Sequence, residues 1–423
     1  MASTVVIAQR VYTLDPARPT ATAFVVRAGS ITFVGTEADA LALAGTEATV
    51  LRYPSSTVIP GLIDAHVHLA SLGRALTVAD LGTAKSETDA VERLTAATKD
   101  AYEGEWLRAR GWDQNDWAGA VFPSKASLDV RFPTTPVYAT RVDGHAAWVN
   151  TEALRRAGIT NDTVDPPGGK IGRDATGEPT GLLIDNAMTL VEAKLPPPSD
   201  EVAETRLRRA VETCLSLGLT QVHDAGMDLA TVRRLQRWDA EGRLPLRVYV
   251  MADGQGPDAD AFLKQGPVTG RHLELRAVKL LADGALGSRG AALAAPYSDT
   301  PGETGLLLLS GNELASRARA FADQGFQVAV HAIGDRANSL VLDVLSSLPA
   351  GRHRVEHAQV LSPVDIPRFA KHGLIASFQP THATSDMPWA EQRLGPERID
   401  GAYAWRSVLD TGAHVAFGSD FPV

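Results

Sequence analysis

The stretch Thr57–Leu69, TVIPGLIDAHVHL, is a β-prone apolar run that ends in a pair of histidines, His66 and His68. In a β-strand, residues i and i+2 point to the same face, so the two imidazoles project together from the end of one strand. Two adjacent imidazoles provide half of a metal site. The alternative is that the two histidines fall two apart by chance, which is unlikely because the chain has only 11 histidines among 423 residues. Further ligands elsewhere in the chain would decide between the two interpretations.

Downstream of residue 200, the sequence alternates between helical stretches and short apolar runs. Seven further β-prone runs each follow a helical stretch: 219–224, 246–251, 275–280, 327–331, 353–357, 374–380 and 414–420. Strands that alternate with helices indicate a parallel sheet, and eight such strands are typical of a closed barrel. The sequence therefore predicts the α/β class and a (β/α)8 TIM barrel.

Two regions lie outside this alternation. Residues 1–56 contain four β-prone runs and one short helix, and we interpret them as a small N-terminal β domain. Residues 57–423 would form the barrel domain. Within it, residues 70–200 are too long for one helix and are rich in turn-forming residues, so we interpret them as an insertion after barrel strand 1.

The composition argues against several classes of protein. A net charge of −9, a pI near 5.7 and the lack of a basic run argue against nucleic acid or an anionic membrane as a partner. The one cysteine, Cys214, excludes an intrachain disulfide, and its spacing suits a buried structural thiol. The sequence shows neither a signal peptide nor a membrane-spanning stretch, so we expect a cytoplasmic protein.

Six polar residues lie at or near the ends of predicted barrel strands, which all face one mouth of a barrel. They are His66, His68, Lys279, His331, His357 and Asp420. A charged or imidazole side chain in an apolar run is costly unless it has a partner. Each residue alone is more often structural, but six of usable chemical type at one end of the strands predict a shared metal site.

Eight short motifs are spread over nearly the whole chain: PGLIDAHVH (60–68), DGHA (143–146), GEPTG (177–181), VKLLADGALGSR (278–289), HAIGD (331–335), RVEHA (354–358), QPTH (379–382) and GSD (418–420). In type and order they resemble the metal-dependent amidohydrolase superfamily. Within it, they resemble the branch related to N-substituted formamide deformylase, a group of predicted TIM-fold metal-dependent hydrolases. The resemblance implies one or two divalent metal ions per chain, with zinc as the expected ion.

For two ions, the resemblance implies two ligand groups: His66, His68 and Asp420 for the first, and His331 and His357 for the second. Lys279 would bridge the two ions. A lysine ammonium has no lone pair, so Lys279 must lose its proton or become N6-carboxylated by CO₂ before it can bind a metal. Its apolar strand favours the reactive amine, because desolvation lowers the pKa of lysine. A salt bridge with Asp283 is the alternative.

The implied reaction is hydrolysis of a C–N amide bond other than a peptide bond, such as an N-formyl or N-acyl amide. A metal-activated hydroxide would attack the carbonyl, with Asp420 as the general acid and base. One alternative is a deaminase or cyclic-amide hydrolase with a single metal. The other is a catalytically inactive metal-binding relative or fragment.

Four residues are candidates for substrate binding: His145, His223, Arg289 and His382. His145 lies in the insertion, where a surface or loop-stabilising role is the alternative. His223 ends predicted strand 2 and His382 follows strand 7, so we expect both to face the mouth. Arg289 follows strand 4 and could bind a carboxylate, although a salt bridge within its loop is the alternative.

In the family that the sequence resembles, the chain continues past the strand-8 aspartate. A last barrel helix and further strands there complete a β-sandwich that residues 1–56 would begin. The sequence ends at Val423, so the resemblance predicts that this C-terminal part is missing. As partners we expect a small-molecule amide and neither nucleic acid nor membrane, with a homodimer as one assembly to consider.

Overall fold

A computed structural model describes residues 3–97, 101–141, 146–166, 169–287 and 289–422. The strands are β1 (Ser3–Tyr12), β2 (Thr20–Arg27), β3 (Ser30–Gly35), β4 (Thr49–Val58), β5 (Leu62–Val67), β6 (Ala79–Asp80), β7 (Tyr102–Glu103), β8 (Trp106–Trp112), β9 (Val137–Arg141), β10 (Ala146–Val149), β11 (Gly169–Arg173), β12 (Pro179–Asp185), β13 (Leu219–Met227), β14 (Arg247–Asp253), β15 (Val268–Thr269), β16 (Leu273–Leu281), β17 (Gln327–Ala332), β18 (Arg354–His357), β19 (Ile375–Phe378) and β20 (His414–Phe417).

The helices are α1 (Glu37–Ala44), α2 (Leu69–Ala75), α3 (Glu87–Thr95), α4 (Lys125–Arg131), α5 (Thr151–Ala157), α6 (Thr189–Glu192), α7 (Asp200–Ser216), α8 (Leu229–Ala240), α9 (Ala259–Gln265), α10 (Gly311–Asp323), α11 (Asp335–Ser346), α12 (Ile366–His372), α13 (Pro380–Asp386), α14 (Ala390–Leu394) and α15 (Trp405–Asp410). The chain divides into two compact units: residues 1–63 with 218–221, and residues 64–217 with 222–423.

The first unit contains a four-stranded sheet in the order β3-β2-β1-β4, with α1 packed on it. The hairpin between β2 and β3 turns at Ala28 and Gly29, which both have positive φ, as a two-residue type I′ turn requires. All four predicted strands and the predicted helix are present. Among the described residues this unit has one sheet, so the second layer of the predicted sandwich stays a prediction.

The second unit is organised around eight strands in the order β20-β19-β18-β17-β16-β14-β13-β5. Neighbouring strands from β14 to β20 are parallel. The segment after the last strand bonds to the carboxyl end of the first strand and the residue after it, since the Asp420 N–H donates to the His66 carbonyl at 2.8 Å and the His68 N–H donates to the Phe421 carbonyl at 3.0 Å. Gly418 permits this approach, because a Cβ there would lie 2.5 Å from the His66 nitrogen. The predicted α/β class is confirmed, and the predicted (β/α)8 barrel is found as a nearly closed parallel barrel sheet.

The strands β17 and β19 read as largely apolar runs because both of their faces are covered. Every residue of β18 and β19 is buried, including the charged Arg354 and Glu356. The helices α7, α8 and α10 each begin at a residue whose side chain caps the helix. In α10, the Ser310 side chain accepts from the Glu313 N–H while the Glu313 carboxylate accepts from the Ser310 N–H, which is a capping box.

The stretch between β5 and β13 contains a sheet of its own. Its order is β11-β12-β10-β9-β8-β6, with β7 paired to β8. Trp112, Trp117 and Trp148 form its aromatic core, with ring centroids 6.1–6.5 Å apart. The insertion expected at residues 70–200 stays a prediction, and the sheet within this stretch had not been predicted.

Two further sequence expectations concern single features. Cys214 is buried in α7, and burial raises the pKa of its thiol to about 12, as suits a structural cysteine. Across the described ranges, none of the helices combines the length and apolar character that crossing a membrane would require.

Candidate metal centre

The parallel register of the barrel strands sets the height of each candidate ligand. Lys279 in β16 pairs with Ala329 in β17, whereas Leu281 pairs with His331. His331 therefore lies nearer than Lys279 to the carboxyl end of the sheet, by two residues along the strands. His357 is the last residue of β18, so it reaches the same end.

His66 is fully buried, and its two ring nitrogens have different neighbours. Nδ1 lies 2.5 Å from Oε2 of Glu356. Nε2 lies 3.3 Å from Nζ of Lys279 and 3.5 Å from Oδ1 of Asp420. Because an ionised carboxylate only accepts hydrogen bonds, Nδ1 carries the proton and Nε2 keeps its lone pair. Nε2 is thus the atom that is available to a metal ion.

Asp420 is the point where several imidazoles converge. Its Oδ1 lies 3.1 Å from Nε2 of His68, and its Oδ2 lies 3.3 Å from Nε2 of His382. Oδ1 is buried and has no hydrogen-bond partner of suitable geometry among the described residues. The backbone has φ values of +62° at Asp420 and +70° at His357, which cost of order 1–3 kcal/mol each and are typical of functional sites.

His357 and His331 form the other side of the cluster. Their ring centroids lie 4.5 Å apart in an edge-to-face arrangement. Nδ1 of His357 lies 2.6 Å from Oε1 of Gln379, so the amide oxygen accepts a hydrogen bond from the Nδ1–H group and Nε2 keeps its lone pair. His331 is placed by the loop after β16, since its Nε2 lies 3.5 Å from both the Gly284 carbonyl and Oδ1 of Asp283.

Burial keeps His66, His331 and His357 neutral at physiological pH, because it lowers the pKa of each imidazole. Desolvation, with a smaller contribution from Lys279, lowers the pKa of His66 to about 4 and that of His331 to about 3. Desolvation and the neighbouring His331 hold the pKa of His357 well below its usual value. Burial likewise lowers the pKa of Lys279. Neutral imidazoles keep the lone pair that metal binding requires.

Asp420 behaves in the opposite way to an isolated buried acid. Burial disfavours its charged form, but the imidazoles of His382 and His68 outweigh that effect and hold its pKa well below the ordinary value. The site therefore combines an ionised carboxylate with neutral nitrogen donors.

These donors fit a divalent cation. His66, His357 and Asp420 each offer one atom, and the three atoms lie within 4.8 Å of one another. The buried Oδ1 of Asp420 lacks a hydrogen-bond partner among the described residues, as expected of an atom that binds an ion. Imidazole nitrogen and carboxylate oxygen are ligands that zinc takes in proteins, so the residues present fit the implied metal.

The amidohydrolase family matches residues 56–423 of the chain. The chain belongs to the amidohydrolase family. It is 35% identical over 376 residues to YtcJ of Bacillus subtilis (strain 168), a protein named as an amidohydrolase, with 87% of this chain and 71% of the relative covered. It is 28% identical over 448 residues to N-substituted formamide deformylase of Arthrobacter pascens, with 100% of this chain and 81% of the relative covered.

Solved structures agree with this assignment. The crystal structure of an uncharacterized metal-dependent hydrolase from Pyrococcus furiosus is 26% identical with a TM-score of 0.86, and 100% of this chain and 86% of that one are covered. The corresponding protein from Pyrococcus horikoshii OT3 is 26% identical with a TM-score of 0.84, covering 100% and 83%. This amidohydrolase therefore shares its fold, over its full length, with these two metal-dependent hydrolases.

Of the four residues expected to bind substrate, the structure brings one to the amidohydrolase site. His382 stacks on His357 with ring centroids 5.6 Å apart and planes 16° apart. His145 lies outside the described residues. Arg289 forms an ion pair with Asp299 at 2.9 Å, which is the salt bridge that had been the alternative.

His223 does not reach the site. It had been expected to end its strand, but β13 continues to Met227, so His223 lies inside the barrel. Its Nδ1 accepts a hydrogen bond from Nη1 of Arg354 at 2.9 Å, and its ring centroid lies 4.8 Å from that of Tyr249. It lines a cavity of about 590 Å³ with residues that precede strands, such as Pro349. The substrate contact expected for His223 is therefore not supported by the structure.

Sequence reasoning missed the residues that hold the ligands in place. Glu356 bonds His66, and Gln379 bonds His357. Asp283 accepts three backbone N–H groups in the loops beside His331. The available signal was the alternation in β18, where Arg354 and Glu356 must share one face of a buried strand.

Proposed function

We propose that this amidohydrolase hydrolyses C–N bonds of non-peptide amides, with N-formyl and N-acyl amides as the first candidates. The observation that carries the proposal is the buried Oδ1 of Asp420, which lies 3.1 Å from Nε2 of His68 and 3.5 Å from Nε2 of His66 without a hydrogen bond. The similarity over the full chain to a protein named N-substituted formamide deformylase supports the amide class.

The proposed ligands fall into two groups: His66, His68 and Asp420 for one divalent ion, and His331 and His357 for a second. Lys279 would bridge them after its Nζ amine adds to CO₂, which forms an N–C bond and releases a proton. Zinc is the proposed ion. When bound, such an ion lowers the pKa of a water towards ~7 and polarises a carbonyl oxygen.

Asp420 has the position for the proton transfers. Its carboxylate takes a proton from the water that adds to the amide carbon, and it gives that proton to the leaving nitrogen as the C–N bond breaks. The products are a carboxylic acid and an amine, so no other reactant is consumed apart from water. His382 lies 3.3 Å from Oδ2 of Asp420, which supports a proposed role in orienting Asp420 and the substrate.

A site with one metal is the second candidate. His66, His357 and Asp420 place three donor atoms within 4.8 Å of one another, which is enough to hold a single ion. Such a site would suit a deaminase or a hydrolase of cyclic amides.

Metal analysis combined with a substrate screen tests both candidates. The full chain is loaded with Zn²⁺ and assayed with matched N-formyl, N-acyl and cyclic amides and with an aminated heterocycle. Two ions per chain with release of formate or acetate supports the first proposal, and one ion with release of ammonia or ring opening supports the second. A metal-loaded chain that hydrolyses none of these compounds contradicts both, and leaves an inactive metal-binding relative.

A further inference from the structure

A buried arginine lies directly behind the carboxylate that bonds His66. Nε of Arg354 donates to Oε1 of Glu356 at 2.6 Å, and Nη2 donates to Oε2 at 3.0 Å. The side chain of Arg354 is 4% exposed and that of Glu356 is fully buried. The planar guanidinium therefore grips both carboxylate oxygens in a two-point contact, which fixes the plane of the carboxylate.

The arginine is itself held from three other strands. Nη2 also donates to the Ala65 carbonyl at 2.8 Å and to the Ser377 hydroxyl at 3.0 Å. Nη1 donates to Nδ1 of His223 at 2.9 Å. These partners lie on β5, β19 and β13, so the guanidinium cannot rotate without losing contacts to several strands at once.

The chain of contacts sets both the tautomer and the direction of His66. Oε2 of Glu356, at 2.5 Å, requires the proton on Nδ1, and so turns the lone pair of Nε2 towards Asp420 and Lys279. A metal-binding histidine whose other nitrogen donates to a carboxylate is a stronger and better oriented ligand.

We propose that Glu356, clamped by Arg354, is a positioning residue that fixes His66 for metal binding, and that His223 belongs to this support. The inference rests on the proposed role of His66 as a metal ligand. It gives His223 a function inside the barrel, in place of the substrate contact expected from the sequence.

His357 has a weaker support of a different kind. Its Nδ1 donates to Oε1 of Gln379, a neutral amide, at 2.6 Å. A neutral acceptor polarises an imidazole less than a carboxylate does. We therefore expect loss of Glu356 to weaken metal binding more than loss of the Gln379 amide does.

The test is a Zn²⁺ titration of the metal-free full chain in competition with a chromophoric chelator. Glu356→Gln keeps an oxygen that can accept from His66 but loses the negative charge that pairs with Arg354. Glu356→Asp keeps the charge, but its shorter side chain places the carboxylate farther from His66. We expect Zn²⁺ affinity to fall about 10- to 100-fold in both variants. Gln379→Leu should cause a smaller loss.

Asp365→Asn is the matched control. Asp365 is a buried carboxylate that pairs with Arg368 at 2.8 Å, and among the described residues it forms neither a hydrogen bond nor an ion pair with the proposed ligands. Its variant should keep wild-type Zn²⁺ affinity, even if its melting temperature falls. The melting temperature of each metal-free variant separates a folding defect from a binding defect.

Co²⁺ spectra supply a second signal, because the ligand field reports how His66 is oriented. A changed visible spectrum in the Glu356 variants, with unchanged melting of the metal-free chain, supports the inference. If Glu356→Gln does not fold, Arg354→Lys provides the test, since it keeps a positive charge but loses the two-point grip.

Two outcomes overturn the inference in distinguishable ways. Wild-type protein that binds no Zn²⁺ refutes the proposed function and this inference together. Wild-type protein that binds Zn²⁺, with Glu356 variants of equal affinity and unchanged Co²⁺ spectra, refutes only the positioning role.

Discussion

Nζ of Lys279 lies 3.3 Å from Nε2 of His66, the ring nitrogen that Glu356 leaves open. Both side chains are buried, and the contact brings the nitrogen atoms of two basic residues together. Burial of an ammonium is costly unless it is compensated, and here it lowers the pKa of Lys279. This arrangement is explained if Lys279 and His66 share a metal ion, with the lysine converted to a carboxylate.

Lys279→Ala should therefore reduce the bound metal from two ions per chain to one or none. Added acetate or propionate should restore part of the metal and part of the hydrolysis, because a small carboxylate can take the place of the bridging group. Metal analysis and the intact mass under native conditions check this, and the wild-type mass should be higher by one CO₂ if Lys279 is carboxylated. Lys264→Ala, an exposed lysine at the end of α9, is the control. Unchanged metal content in Lys279→Ala would contradict the proposal that Lys279 bridges two metal ions.

Asp420→Asn should lower kcat about 10²- to 10⁴-fold, because the amide cannot take a proton from water and return it to the leaving nitrogen. The metal content is measured in the same samples, so that loss of the ion is separated from loss of proton transfer. Asp410→Asn is the control, since Asp410 forms a surface pair with Arg406. Activity near the wild-type level in a metal-loaded Asp420→Asn variant would contradict the assignment.

The barrel could be predicted from the sequence because parallel strands are buried on both faces and read as unbroken apolar runs. The run in β17, QVAVHA, is an example, and its histidine stands out against apolar neighbours. The sheet of the insertion gives no such signal. In β8, WLRARGW, arginines alternate with buried residues, and the sheet order places β10 between β9 and β12. Such non-local pairing is not encoded in any short window of sequence.

The candidate ligands could be predicted for the same reason, since each is a polar side chain at the end of an apolar run. The residues that hold these ligands in place could not be predicted. In the sequence alone, Arg354 and Glu356 resemble an ordinary ion pair, and only the folded barrel shows that both are buried. His223 was misplaced because the end of β13 was set too early, and element ends are the least certain part of a sequence-based assignment.

His382→Gln should raise KM about 3- to 10-fold, with a smaller change in kcat, if His382 orients the substrate. Its ring stacks on His357 and its Nε2 lies 3.3 Å from Oδ2 of Asp420, so it borders the reacting position without being among the proposed ligands. Steady-state kinetics with the best amide of the screen provide the measurement. His372→Gln, at the exposed end of α12, should leave both constants unchanged. A fall in kcat alone would instead place His382 in the proton transfer.

Trp148→Ala should destabilise the chain by about 3–5 kcal/mol, because it removes a buried ring from the core of the insertion. The ring packs against Trp112 and Trp117, and its Nε1 donates to the Ser124 carbonyl at 2.8 Å. Urea unfolding followed by circular dichroism measures the loss. Val130→Ala is a surface control, since Val130 is 87% exposed and should change the stability little. Equal stability of Trp148→Ala and wild type would show that this sheet does not contribute to cooperative unfolding.

Acid destabilisation should depend on His353. Its Nδ1 accepts the Val328 N–H at 3.0 Å and its Nε2 donates to the Pro349 carbonyl at 2.9 Å, so the folded state needs the neutral ring. Burial lowers its pKa in the folded chain below the value of about 6.5 that it has when unfolded. The unfolded state therefore binds more protons just below pH ~6.5, and the free energy of unfolding must fall as the pH drops from there towards the folded-state pKa.

His353→Gln keeps one acceptor and one donor but cannot titrate, so its stability should depend less steeply on pH in that range than the stability of the wild type. Urea unfolding of the metal-free chain at a series of pH values between 7 and 5, roughly the range where histidine titrates, measures both slopes. His414→Gln, an exposed histidine at the start of β20, should keep the wild-type slope. Identical slopes for His353→Gln and wild type would show that protonation of His353 does not govern acid unfolding, because the linkage requires the slope to change when the titrating group is removed.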